Sequence, residues 1–126
     1  MSLANRSVAW IRRGAPFLIA FAFSGSAFAA DQPDKKTDRL WKSKCASCHG
    51  ADGKAETDQG KKMQTASMAT KAWQSSHTDD QIRKAILEGV KTEKGGVKKE
   101  MDPYKDELQP DQVDALVKYI RALPTS

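Results

Sequence analysis

Nine apolar residues in a row, "APFLIAFAF" at 15–23, stand near the start of the chain, and nothing comparable follows. Beyond residue 30 the apolar positions are sparse and recur at three- and four-residue intervals, the period of amphipathic helices. A first helix is expected within "DKKTDRLWKSKCASCH" (34–49), where Leu40, Trp41 and Cys45 share a face. The clearest local pattern is "HTDDQIRKAILEGV" (77–90). Thr78 is placed to cap it, Gln81 follows three residues on, Ile82, Ala85 and Ile86 form the stripe, and Gly89 ends it. A last helix is expected in "QPDQVDALVKYIRALP" (109–124), with Pro110 at its first position and Val113, Leu116, Val117 and Ile120 along one side. Between these, "GADGKAETDQGKK" (50–62) reads as turn-rich and irregular, and "KTEKGG" (91–96) as a loop. No strand-like alternation is evident, so the expected class is all-α.

The apolar run belongs to a different kind of segment. It follows Arg6, Arg12 and Arg13 and precedes the small-residue ending "SAFAA" at 26–30. Basic start, apolar middle and A-x-A ending make a secretory signal peptide, expected over 1–29 with cleavage after Ala29. Nine apolar residues fall well short of the ~20 that a membrane-spanning helix needs. The remaining 30–126 is expected to form one domain, exported to the periplasm.

Removing the leader changes the composition that matters. It contains all four Phe and one of the three Trp, which leaves Trp41, Trp73, Tyr104 and Tyr119 as aromatics. It also holds three of the 21 basic residues and none of the 16 acidic ones, so the rest of the chain carries only +2. No basic run interleaved with aromatics suggests nucleic acid as a partner. Counting Leu, Ile, Val, Met, Trp and Tyr from residue 30 onward gives 19 large apolar side chains. A domain this small is already marginal in what it buries. Apolar volume must come from elsewhere, and two cysteines allow at most one disulfide.

Those two cysteines stand together in "KCASCHGADG" (44–53). Cys45-Ala46-Ser47-Cys48-His49 is C-x-x-C-H, the attachment motif of a c-type haem. Two thiols three residues apart suit the two vinyl groups on one porphyrin edge, and the next residue presents an imidazole to the iron. A bound haem also supplies the missing core. Zinc would need four ligands, and the only other histidine is His77, 28 residues on. A thioredoxin-like dithiol would need a βαβ setting, and a plain disulfide explains neither His49 nor the thin core.

With these residues in place the chain resembles the class I cytochrome c family over residues 37 to 123. "LWKSKCASCHGADGK" (40–54) is similar to the family's first helix and haem site, with Trp41 at the aromatic position four residues before Cys45. "MDPYKDELQPDQVDALVKYIRAL" (101–123) is similar to the segment running from the methionine ligand into the last helix, where Leu116 and Tyr119 pack on the first. The resemblance implies a small all-α fold of three to five short helices wrapped around one covalent haem c. It makes Cys45 and Cys48 the attachment points, and His49 and Met101 the axial ligands. Two departures stand out. Thr37 occupies the place of the glycine that lets the terminal helices cross closely. No proline lies between residues 34 and 102 to offer a carbonyl to the His49 ring, so a carbonyl within 55–65 is expected instead.

Met101 is also the physical choice for the sixth ligand, because a polar loop followed by a helix wraps a separate segment over the other haem face. Met63 and Met68 read as pocket lining, with ligation by either as the alternative. His77 would give a bis-histidine iron but sits in the polar "SSHTDD". Trp73 has two readings, a core aromatic or a donor to a haem propionate. Lys91, Lys94, Lys98 and Lys99 are interleaved with Glu93 and Glu100, which favours a solvated loop over a docking patch for an acidic partner.

The expected function is one-electron transfer between other redox proteins as donor and acceptor, by a monomer without catalytic residues. The alternatives are a haem enzyme or sensor with an open iron, and a fixed haem subunit of a larger oxidoreductase. Methionine ligation separates the first alternative from the carrier.

Overall fold

The computed structural model describes residues 33–126. The expected signal peptide, 1–29, lies outside them. Among the described residues six helices and one hairpin follow in chain order, so the helical class holds with more and shorter pieces than the three to five expected. Among the described residues no helix is long and apolar enough to cross a membrane.

Helix α1 (Lys35–Lys44) starts because Asp34, in extended conformation, accepts hydrogen bonds from the N–H groups of Lys36 and Thr37. It breaks at Cys45, and a single further turn, α2 (Ala46–His49), ends where Gly50 takes a positive φ of 79°. Helix α3 (Asp58–Lys62) lies in the stretch expected to be irregular; Thr57 caps it by accepting from the Gly60 N–H. Helix α4 (Lys71–Ser76), capped by Thr70, has no apolar stripe long enough to announce it. Helix α5 (Asp79–Glu88) carries the reciprocal Thr78–Gln81 capping box expected from its sequence. Helix α6 (Pro110–Arg121) begins with Pro110 at N1.

The loop expected at 91–96 is instead the turn end of an antiparallel hairpin, β1 (Val90–Lys94) and β2 (Val97–Met101). Gly95 and Gly96 both have positive φ, 61° and 77°, the condition for a two-residue hairpin turn that matches strand twist. A glycine pair between runs of equal length carries that signal. It is masked because lysines and glutamates occupy most strand positions, leaving little apolar alternation. Register pairs Val90 with Met101 and Thr92 with Lys99.

The core forms where α1 and α5 pack against α6. Trp41, Leu116 and Val113 are its fully buried members, joined by Met68, Ile82, Ile86, Leu108, Val117, Tyr119, Ile120 and Leu123. Thr37 is buried beside α6, and a cleft of about 410 Å³ opens between the first turns of α1 and α6, lined in part by Thr37, Leu40 and Ala115. That opening stands where the family's glycine would allow closer approach. Arg121 draws the other end of α6 to α4 and α5: its guanidinium donates to Asp79 and to the Gln74 carbonyl, at 2.7 Å each.

Candidate functional site

The break between α1 and α2 sets the two thiols. The Cys45 N–H still donates to the Trp41 carbonyl, while the Cys45 carbonyl accepts from His49 in the next turn. Both thiols are free and half-buried. Burial pushes the Cys45 thiol up to about 11, against the opposing pull of Lys44, so it stays protonated near neutrality.

Several long-range bonds hold this turn in place. Trp41 Nε1 donates to the Gly50 carbonyl at 3.1 Å in the interior, which fastens the end of α2 to the side of α1. The Thr57 hydroxyl lies 2.7 Å from the Ser47 carbonyl and 3.2 Å from that of Cys48. Gly60 is buried against the same turn, and a Cβ there would meet the Cys48 and Ala55 carbonyls at 2.3 and 2.5 Å. Tyr104 donates from its hydroxyl to the Lys44 carbonyl at 3.1 Å, bridging α1 to the segment after Met101. Thr57 and Gly60 were not singled out from the sequence; Thr57 followed by the acidic Asp58 is the helix-start signal that would have found them.

Burial lowers the His49 pKa, which keeps the imidazole neutral as a metal ligand must be. Its Nδ1 is buried without a hydrogen-bond partner. The carbonyl expected within 55–65 does not reach it. That segment forms α3, and the carbonyls of Thr57, Gln59, Gly60 and Lys61 accept from its own backbone N–H groups instead. The ring is positioned by neighbours: Trp41 lies with its centroid 6.0 Å away.

Met101 ends β2, half-buried against the core cluster that Cys45 and Ala46 also touch. Two contacts fix its backbone. Gly89, at φ 74°, leaves room for the Met101 carbonyl, which a Cβ would approach to 2.4 Å. Just beyond, the N–H groups of Tyr104 and Lys105 donate to the carbonyls of Ile86 and Leu87 in α5.

The other sequence candidates lie elsewhere. Met68 is buried within the core, with its N–H on the Gly53 carbonyl, and Met63 is the half-buried C-cap of α3. Trp73 packs half-buried on the core, and His77 stacks on it at 4.3 Å with planes 16° apart. His77 Nδ1 is 2.9 Å from the Trp73 carbonyl, so this histidine is engaged locally. On the hairpin Lys91 pairs with Glu100 at 3.1 Å.

Two cysteine thiols on one turn, a half-buried imidazole next to them and a methionine against the same core make a donor set suited to a covalent haem. The family model described as Cytochrome c matches residues 35–124. Among solved structures the chain is similar to KustC0563, a c-type cytochrome, with 31% identity and a TM-score of 0.60 over 71% of this chain and 98% of that one. It is also similar to a mutant of that protein, with 33% identity and a TM-score of 0.56 over 68% and 94% of the respective chains. No curated protein gives a significant match. With the family model spanning most of the chain and Cys45 and Cys48 in its haem-binding motif, the chain belongs to the cytochrome c family, a family of haem-based electron transfer that holds its haem c covalently.

Proposed function

We propose that this protein is a periplasmic carrier of single electrons, with His49 and Met101 as the axial ligands of its haem. When bound, the haem supplies a one-electron couple, and a neutral thioether ligand raises its potential. The chain's own residues hold that group without rearranging. Cys45 and Cys48 anchor it, and Trp41, Thr57 and Gly60 keep the turn that carries them rigid. His49 stays neutral through burial. Trp73, half-buried against the core, is the donor proposed for a propionate.

The observation that carries the assignment is the seat of Met101. Met68 is packed into the interior and Met63 closes a helix, whereas Met101 stands at a strand end, its carbonyl close against Gly89 and the chain just beyond it bonded to α5 through Tyr104. A ligand anchored to the helices at that point can stay in place when the charge on the iron changes, which suits carriage better than substrate binding. The periplasmic setting rests on the leader read at 1–29, and the partners are other redox proteins, donor and acceptor.

The test is the methionine–iron charge-transfer band of the oxidised holoprotein. It should be present in the wild type and in Met63→Ala, and absent from Met101→Ala, which should keep its haem and have a lower potential. Persistence of the band in Met101→Ala, or ready binding of carbon monoxide by the wild type, would defeat the assignment.

A further inference from the structure

One side-chain bond joins the segment after Met101 to the residue just before Cys45. The break between α1 and α2 takes the Lys44 carbonyl out of the helical ladder, because the Cys48 N–H donates to the Cys45 carbonyl, at 3.3 Å, instead. The Tyr104 hydroxyl donates to the Lys44 carbonyl at 3.1 Å, across 60 residues of chain. The ring packs half-buried on the core cluster, a place phenylalanine would fill as well, so the hydroxyl is what reaches α1. The Tyr104 backbone is fixed too. Its N–H donates to Ile86 of α5, and its carbonyl accepts from Glu107 and Leu108, at 3.0 Å each. Only Asp102 and Pro103 separate this anchored residue from Met101, and the proline ring locks one of the intervening rotations. Lys44 also pairs with Glu107, but that ion pair is exposed and contributes little.

We propose that Tyr104 is a positioning residue for Met101: its hydroxyl, bonded to the Lys44 carbonyl, sets how readily the methionine leaves the iron. This role rests on His49 and Met101 being the axial ligands. Cys45 and Cys48 hold the haem, and Lys44 is next to Cys45 in the chain. A bond from Tyr104 to Lys44 therefore ties the methionine segment to the point that anchors the haem. The bonds from Tyr104 and Lys105 to α5 tie that segment only to another part of the fold. The hairpin on the other side of Met101 has two strands and little stability of its own, so it cannot supply the tie. Without the hydroxyl the Lys44 carbonyl loses that donor, residues 101–104 keep only their anchors on α5, and Met101 swings off the iron more often.

The experiment titrates ferric holoprotein with imidazole, which competes with a methionine ligand, and follows the methionine–iron charge-transfer band. Stopped-flow mixing at saturating imidazole then reads the rate at which the methionine leaves. Tyr104→Phe should keep its haem and bind imidazole roughly 3–10-fold more tightly, the range set by one hydrogen bond, with the saturating rate raised by a similar factor. Two further variants separate positioning from stability. Tyr119→Phe removes a different hydroxyl bond onto α1, the one to Asp38 at 3.2 Å. It should lower the denaturant midpoint and leave the imidazole affinity and rate at their wild-type values. Glu107→Gln breaks the ion pair with Lys44 while keeping the phenol, and should also match the wild type. Unchanged affinity and rate in Tyr104→Phe overturn the proposal. So does an equal rise in Tyr119→Phe, which would make the effect one of general stability. A wild type without the band defeats the ligand assignment and the role of Tyr104 together, whereas a normal band with no response to Tyr104→Phe defeats that role alone.

Discussion

The two sides of the site are built by different means. On the cysteine side the turn at 45–49 is braced from α1 by a buried bond of Trp41, from the loop by the Thr57 hydroxyl and from α3 by the close approach of Gly60. On the methionine side Met101 ends a two-stranded hairpin whose other side chains are mostly charged and exposed. A hairpin of two strands has little stability of its own. Met101 is held where that hairpin meets the helices, by Gly89 behind it and by Tyr104 and Lys105 bonded to α5. One half of the site is rigid through dense local bracing; the other is placed by two anchor points and a register. Damage should therefore be graded on the first side and confined to the anchors on the second.

The largest effect should come from removing the haem that the two cysteines hold. Cys45→Ala combined with Cys48→Ala yields a chain without covalent haem, and the eleven-residue buried cluster has to offset the chain entropy alone. Far-UV circular dichroism should show a large loss of helix and no cooperative thermal transition. Native-like helix content in that variant would show the protein core to be sufficient by itself.

Next come the glycines, which test the two sides directly. A Cβ at Gly60 would meet two backbone carbonyls below 3.0 Å, so Gly60→Ala should cost roughly 1–3 kcal/mol or more in denaturant unfolding. Gly89→Ala combines a positive φ with a clash against the Met101 carbonyl, and should weaken the methionine charge-transfer band as well as stability. Gly95→Ala, at the hairpin tip, meets nothing within 4 Å. It should cost only the left-handed backbone conformation, about 1–2 kcal/mol, and leave the band intact. If Gly95→Ala disturbs the band as Gly89→Ala does, the hairpin is a single rigid unit and the contrast fails.

A smaller effect is expected for Trp41→Phe, which leaves the buried Gly50 carbonyl only the 3.3 Å bond from the Gly53 N–H. A loss of about 0.5–1.5 kcal/mol follows, measurable as a lower denaturant midpoint with the haem still attached. Smallest of all is Lys91→Ala. Its partner Glu100 is an exposed residue across the strands, so the midpoint should stay within ~0.5 kcal/mol of the wild type.

Local chemistry made much of this legible in the sequence. Thr78 and Gln81 announce α5 because a capping box is satisfied within four residues, and Pro110 with the stripe from Val113 to Ile120 announces α6 in the same way. The C-x-x-C-H motif is readable because Cys45, Cys48 and His49 stand within five residues of one another in the chain. The hairpin was missed because cross-strand pairing between Val90 and Met101 gives no apolar period when charged residues fill the strands. Helix α3 was missed because five residues are too few to show a stripe, and its consequence was missed with it. Once those residues coil, the carbonyls of Thr57, Gln59, Gly60 and Lys61 serve backbone N–H groups of the same segment, and His49 Nδ1 is left without a partner.

Sequence alone determined the covalent attachment point, helices α5 and α6 and the need for a group to complete the core. Each of these follows from residues within one turn of each other or from composition. Tertiary structure alone decided which segments brace that point: Thr57 over the Ser47 carbonyl, Gly60 against Cys48, Trp41 between His49 and Tyr119, and Gly89 behind Met101. Such contacts depend on close packing between residues up to 78 positions apart, as Trp41 and Tyr119 are. No local propensity encodes a distance of that kind, because it exists only once the helices have crossed.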